Sequence, residues 1–307
     1  MDRIAIFGAA GRVGAPLVRQ LVRRAPETKL QLISSKVDQT RSLNASFPTA
    51  DVCIADYFDV NSLRRALHDV NGVFVITPHF LDEEVAMSNL VSVLEGSDAL
   101  QLLVRVVGYH PGACLADVPQ ALRDFGSGVA TQHFVAQEVL QASGLPATFL
   151  NLGASLMDNF LRNAPLRSRG TLVWHPRRIP YVDPRDVAEA ASRILLSSKE
   201  HQGKVYHLNN NHDLRTGADV AWLMGQVAGK PIAYDGSRAA YLEMTAERIR
   251  RDFGVEGGAE YLWDFFEYER SIESHWTLNP TLQQLLGRPP TTLAEWIEEH
   301  RARLFVA

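Results

Sequence analysis

The chain has 307 residues, 46% of them apolar and 21% charged, with a net charge of −4 at neutral pH. That is ordinary globular composition, with apolar material for one large α/β domain or two smaller ones, and its balance gives no electrostatic basis for a nucleic-acid or anionic-membrane partner. Two cysteines, Cys53 and Cys114, make no disulfide framework, no apolar run reaches the ~20 residues of a membrane span, and a strand starting at Arg3 leaves no signal peptide, so a cytoplasmic protein is expected.

The first element is the run Arg3-Ile4-Ala5-Ile6-Phe7, which ends at Gly8, Gly11 and Gly14. Behind the glycines, Leu17, Val18, Leu21 and Val22 share one face of a helix. Strand, glycine turn and helix in that order suit anion binding, because a phosphate can reach the free amides of the helix start. Gly8 would turn the chain off the strand, Gly11 would admit a pyrophosphate, and Gly14 would let the helix lie close to the sheet. Ala10, Arg12 and Val13 complete the expected cradle.

Leu30 to Ser34 reads as a second strand. Where a carboxylate would accept from the ribose of NAD, this chain has Ser34, Ser35 and Lys36; hydroxyls and a cation suit a 2′-phosphate, so NADP is expected over NAD, with Arg12 adding a second charge. Asp51 to Asp56 is a short third strand, with Asp56 at the edge where an adenine amino group could donate to it or where it could cap the loop. Asp59 starts the next helix.

Gly72-Val73-Phe74-Val75-Ile76 is a covered parallel strand leading to Thr77, Pro78 and His79 at the same edge, and Leu81 to Leu94 follows as a helix. The fifth strand, Leu100 to Val107, is interrupted only by Gln101 and Arg105 and opens onto Gly108, Tyr109 and His110. After a looser stretch, a helix from Thr131 to Ser143 is stopped by Gly144 and Pro146, and Thr148 to Leu152 is a sixth strand. The alternation predicts a doubly wound parallel sheet of Rossmann type. Residues 1–153 are assigned to this nucleotide-binding domain, with 179–209 returning to it through a helix started by Asp183-Pro184 and a strand at Lys204 to Leu208. A smaller, mostly helical C-terminal lobe is assigned to 154–178 and 210–307, with a substrate cleft as the default expectation.

The chain resembles the NmrA-like, atypical short-chain dehydrogenase/reductases, related to the isoflavone- and phenylcoumaran-reductase group. The matching pieces are Gly8 to Gly14, Asp56, Gly72 to Pro78, Ala142 to Thr148, Met157-Asp158-Asn159-Phe160, Ile179 to Ala188 and Leu286 to Leu293. The resemblance implies a Rossmann domain, a small substrate lobe and a usual preference for NADP; members are reductases of small aromatic or quinonoid compounds or non-catalytic NADP sensors. Where the family often carries a lysine, eleven residues before Gly144, this chain has His133, followed by Gln137 where a glutamate is usual; Asn151-Leu152 replaces an arginine-proline pair.

No tyrosine has a lysine four residues on: Tyr109 meets Ala113 and Tyr181 meets Arg185, which argues against epimerase and ordinary alcohol-dehydrogenase chemistry. His133, Tyr109 and His110 are therefore the candidate proton donors, His133 doubling as a cofactor contact beside Val107, Gly108 and Leu152. Phe80, Tyr109, Met157, Phe160 and Trp174 are candidates for lining a substrate pocket, and no histidine spacing suggests a metal. The leading expectation is an NADPH-dependent reductase of a small apolar carbonyl, quinone or conjugated alkene, with a homodimer allowed. The alternatives are an NADP(H)-sensing regulator and a non-redox catalyst that keeps NADP structurally.

Overall fold

The computed structural model describes residues 1–305. In chain order the elements are β1 (Arg3–Phe7), α1 (Gly14–Arg24), β2 (Lys29–Ser34), α2 (Val37–Ser46), β3 (Asp51–Ile54), α3 (Val60–Ala66), β4 (Gly72–Val75), α4 (Glu83–Leu94), β5 (Leu102–Val107), α5 (Gln120–Arg123), α6 (Val129–Ala142) and β6 (Ala147–Asn151). There follow β7 (Ser155–Leu156), α7 (Ala164–Arg169), β8 (Thr171–Val173), β9 (Ile179–Val182), α8 (Pro184–Leu196), β10 (Val205–His207), β11 (Leu214–Arg215) and α9 (Gly217–Ala228). The last are β12 (Ala233–Asp235), α10 (Arg238–Phe253), α11 (Gly258–Ser271), α12 (Thr281–Leu286), α13 (Leu293–Glu299) and α14 (Arg301–Leu304). Among the described residues, no helix is long and apolar enough to cross a membrane.

Two compact units emerge, one of residues 1–108, 132–152 and 184–207, the other of 109–131, 153–183 and 208 onward. The sequence assigns 1–153 and 179–209 to the first domain; the structure instead gives 109–131, 153, 179–183 and 208–209 to the second unit.

The first unit is built on a parallel seven-stranded sheet in the order β10-β6-β5-β4-β1-β2-β3. Chain progress runs outward from β1 to β3 on one side and from β4 to β10 on the other, so the order reverses between β1 and β4. In an open α/β sheet that reversal opens a crevice at the carboxyl edge of the strands. Ile4, Ala5, Ile6, Val73, Phe74, Leu103 and Val104 are fully buried, which is why these strands are apolar without alternation. Helix α1 buries Leu17, Val18 and Leu21, each side chain contributing about 1.5–3 kcal/mol. Helix α1 packs on α8, where Glu189 accepts from Arg24 at 2.6 Å and Arg193 at 2.9 Å.

The second unit contains a three-stranded sheet, β11-β9-β7, and a parallel pair, β12 and β8. Its core joins Met157, Phe160, Tyr181, Met224, Trp276 and Trp296. Helix α13 begins at a capping box, Glu295 N–H donating to Thr292 Oγ1 at 3.3 Å and Thr292 N–H to Glu295 Oε2 at 2.8 Å, worth about 1 kcal/mol. Helix α11 ends at Ser271, and a separate 3₁₀ turn, Glu273–His275, precedes Trp276.

Candidate cofactor site

The turn after β1 leaves no room for a side chain at Gly8 or Gly14. Gly8 has φ +67°, and a Cβ there would lie 2.7 Å from Ile76 Cγ2. At Gly14 a Cβ would stand 2.1 Å from the Gly8 carbonyl oxygen, a backbone atom that cannot step aside. Helix α1 has no side-chain cap and no acidic residue in its first turn. Gly8, Ala10 and Gly11 are exposed while Val13 is buried behind them, and Arg12 is half-buried. An uncapped helix start with exposed backbone in front of it is what a diphosphate requires. The residues present fit the phosphates of a dinucleotide.

The end of β2 divides the three residues expected to hold a 2′-phosphate. Ser34 is buried and its hydroxyl is committed locally, donating to Gln39 Oε1 at 2.7 Å and accepting from Lys36 N–H at 3.1 Å. Its role is to shape the turn. Ser35 and Lys36 are exposed beyond it, at the start of α2. Asp56 is exposed, and its Oδ1 accepts from Phe58 N–H at 3.0 Å.

Around β4 and β5 the structure gathers more than the sequence suggested. Arg105 lies in the middle of β5 and is fully buried. Its Nη2 donates to Glu83 Oε1 at 2.7 Å and to Thr77 Oγ1 at 2.7 Å, and Thr77 donates in turn to Glu83. Gln132 on α6 donates from Nε2 to the Pro78 carbonyl at 3.2 Å and to Glu83 Oε1 at 3.3 Å, while its Oε1 accepts from Phe80 N–H at 3.3 Å. Phe80 has φ +64°, a left-handed conformation that costs a non-glycine residue about 1–2 kcal/mol. Pro78 and His79 are exposed above this network.

His133, next to Gln132, brings its ring to the mouth of β5: a Cβ on Gly108 would lie 3.6 Å from His133 Nε2. Its Nδ1 is buried without a hydrogen-bond partner. Burial first, then the charges of Arg105 and His79, hold this imidazole well below its ordinary pKa, so it is neutral at physiological pH. Leu152 N–H donates to the Val107 carbonyl at 2.7 Å, tying β6 to the same edge. Asn151 is fully buried, and its amide lies 2.8 Å from His207 Nδ1, so the departure from arginine-proline there serves the sheet. Tyr57, unnoticed in the sequence, stacks on Phe7 with ring centroids 4.8 Å apart.

The remaining candidates belong to the second unit. His110 is buried, and its Nδ1 lies 3.1 Å from the Pro111 carbonyl; a carbonyl only accepts, so Nδ1 carries the proton and Nε2 the lone pair. Burial lowers its pKa. With His275, Asp117 and Tyr268 it lines a cavity of about 510 Å³. Tyr109 is half-buried. Met157 and Phe160, expected to line a pocket, are fully buried in the core, Phe160 between Trp174 and Tyr181 at centroid distances of 4.8 and 5.8 Å. Among the described residues, no cluster of His, Cys, Asp and Glu is placed to hold a metal ion.

A glycine turn at the head of a doubly wound parallel sheet defines a nucleotide-binding protein of the Rossmann class. The chain belongs to the NAD(P)H-binding family, which it matches over residues 8–197, in agreement with the NmrA-like resemblance. Quinone oxidoreductase 2 of Escherichia coli K12 is 25% identical over 299 residues, 95% of this chain and 96% of its own length. NAD(P)H azoreductase of Xenophilus azovorans is 24% identical over 97% of this chain and 98% of its own. The Citrobacter sp. triphenylmethane reductase, solved in complex with NADP(H), matches with a TM-score of 0.76 at 22% identity, covering 97% of this chain and 99% of that one; at that identity it speaks for the fold.

Proposed function

We propose that the protein is an NADPH-dependent reductase of small, largely apolar acceptors, with quinones first and carbonyls or conjugated alkenes as related classes. The observation that carries this reading is the uncapped start of α1 behind Gly8–Gly14, with exposed Ser35 and Lys36 at the end of the adjacent strand β2. The names of the relatives, a quinone oxidoreductase and an azoreductase, point the same way. The amides of residues 11–14 hold the diphosphate, Lys36 with Ser35 holds the 2′-phosphate, and Thr77 to His79 with Val107, Gly108, His133 and Leu152 border the nicotinamide half.

NADPH, when bound, supplies a hydride to the acceptor. The protein binds and orients both molecules and excludes water between them. His133, neutral and set against Gly108, serves as a hydrogen-bonding group rather than as an imidazolium acid. His110 presents a lone pair at Nε2 and is therefore an acceptor, so in this reading Tyr109 is the candidate that holds the proton.

Calorimetry with NADPH and NADH, followed by loss of NADPH absorbance across a panel of quinones, enones and aldehydes, tests the reading. Binding of NADPH in preference to NADH with turnover of at least one quinone supports it. Tight NADPH binding with no oxidation across the panel overturns the reductase and leaves a dinucleotide-binding regulator.

A further inference from the structure

We infer that Glu83 and Arg105 are positioning residues for the nicotinamide half of the cofactor: their buried pair, clamped by Gln132, fixes the turn after β4 and the adjoining face of α6, and so sets where His133 stands. The inference rests on the proposed reading in one respect, that the Thr77–His79 turn and His133 border the nicotinamide.

A fully buried arginine in a parallel strand needs a reason. Arg105 Nη2 and Glu83 Oε1 are 2.7 Å apart with side chains 0% and 1% exposed. Such a pair adds little net stability, because desolvating two charges offsets their attraction; apolar residues of equal volume often serve the fold as well or better. What the pair does supply is direction. Arg105 and Glu83 both engage Thr77, the first residue of the turn. Glu83 also accepts from Gln132, whose amide clamps Pro78 and Phe80 from both sides and holds Phe80 at its unfavourable φ of +64°. Gln132 precedes His133 on α6, so one network sets both the turn and the ring. The charged groups acting on His133 are Arg105 from β5 and His79 from the turn, with Glu83 of α4 paired to Arg105.

None of these hydrogen bonds goes to Lys36 or to residues 11–14 at the start of α1. The pair should therefore govern one half of the ligand only. The test uses the full-length R105M/E83L double variant, which removes both charges together and leaves neither buried alone. Calorimetry compares NADPH with adenosine 2′,5′-bisphosphate, a fragment that lacks the nicotinamide half, and NMR follows the His133 imidazole against pH in the ligand-free protein.

In the double variant NADPH is expected to bind about tenfold more weakly, the loss of roughly one well-made hydrogen bond. The fragment should bind within about twofold of wild type, and His133 should titrate at higher pH than in wild type. Equal affinity for NADPH in variant and wild type, a parallel loss for both ligands, or an unmoved His133 titration overturns the inference. Should the double variant fail to fold, E83Q, which keeps the side-chain shape and an acceptor oxygen but leaves the Arg105 charge without its counter-charge, is held to the same split between NADPH and the fragment, and equal effects on the two ligands overturn the inference. The proposed reading itself fails separately, at the wild-type stage, if the unaltered chain binds neither ligand.

Discussion

The α-carbon of Gly14 faces the carbonyl of Gly8 with so little clearance that a methyl group there would lie 2.1 Å from the oxygen. The contact closes the turn that brings α1 up to the end of β1, and Gly11 N–H donates to the same oxygen at 2.8 Å. Gly14→Ala must open that turn. The expected cost is about 1–3 kcal/mol of stability, as for other overpacked sites, together with at least about a tenfold loss of NADPH affinity. Thermal melting and calorimetry read the two effects. Wild-type affinity in Gly14→Ala would separate the turn from the cofactor.

Lys36 is exposed at the start of α2, while Ser34 is spent on the turn itself. In the proposed reading, selectivity for NADPH over NADH falls on Lys36 and Ser35, with Arg12 as the second cation. A charge-assisted hydrogen bond contributes about 1.5–3 kcal/mol, so Lys36→Ala should weaken NADPH by about 10- to 100-fold. NADH affinity should be unchanged, and the NADPH loss should shrink as salt is raised. Equal weakening of both cofactors would place the 2′-phosphate elsewhere.

The strands and the glycine turn were legible because their physics is local. Ile4-Ala5-Ile6-Phe7 and Gly72 to Val75 are covered on both faces, so burial wrote itself directly into unbroken apolar runs. Helix α2 left no such trace: only Leu43 on it is buried, and a helix that buries one residue carries no periodic signal. The short strands β7, β8, β11 and β12 have two or three residues each, fewer than a pattern needs. In the site, Arg105 was visible as a cation inside an apolar strand and should have demanded a carboxylate partner. Which carboxylate it would be, Glu83 at the head of α4, is a fact of the sheet's geometry that spacing does not carry. Met157 and Phe160 failed as pocket candidates for the opposite reason, since apolar side chains look alike in a sequence whether they line a cavity or fill one.

Tyr261 on α11 is a structural tyrosine. Its hydroxyl accepts from Ala130 N–H at 3.0 Å, one of the orphan amides in the first turn of α6, and its ring stacks on Phe125 at 4.2 Å. Burial pushes its pKa up to about 12. Tyr261→Phe keeps the stacking and strands a buried N–H, which costs about 1–3 kcal/mol. Gly128→Ala attacks the same contact from the other side, because a Cβ there would lie 2.2 Å from the hydroxyl. Urea denaturation should show both variants with lowered midpoints. A Tyr261→Phe midpoint equal to wild type would mean that the amide finds another partner.

His175 gives the second unit an acid sensitivity with a definite sign. Its Nδ1 accepts from Arg177 N–H at 3.1 Å, so the lone pair is already used and a second proton has nowhere to go without breaking that bond. The other nitrogen lies 2.9 Å from Glu267 Oε1, but the side chain is only 2% exposed. Burial first, then the charges of Arg177 and Arg270, lower its pKa to about 3. In the unfolded chain the same imidazole titrates at about 6.5. Below that pH the unfolded state takes up a proton that the folded state refuses. Stability is therefore whole above pH ~6.5 and falls progressively as the pH drops toward the folded value, by up to about 1.4 kcal/mol per unit for this one group. His175→Asn keeps an acceptor for Arg177 N–H and removes the titration. Denaturation at pH 7, 6, 5 and 4 should show a shallower decline for His175→Asn than for wild type, whatever the other histidines add to both curves. Parallel declines would mean that Glu267 stabilises the charged ring enough to cancel its burial.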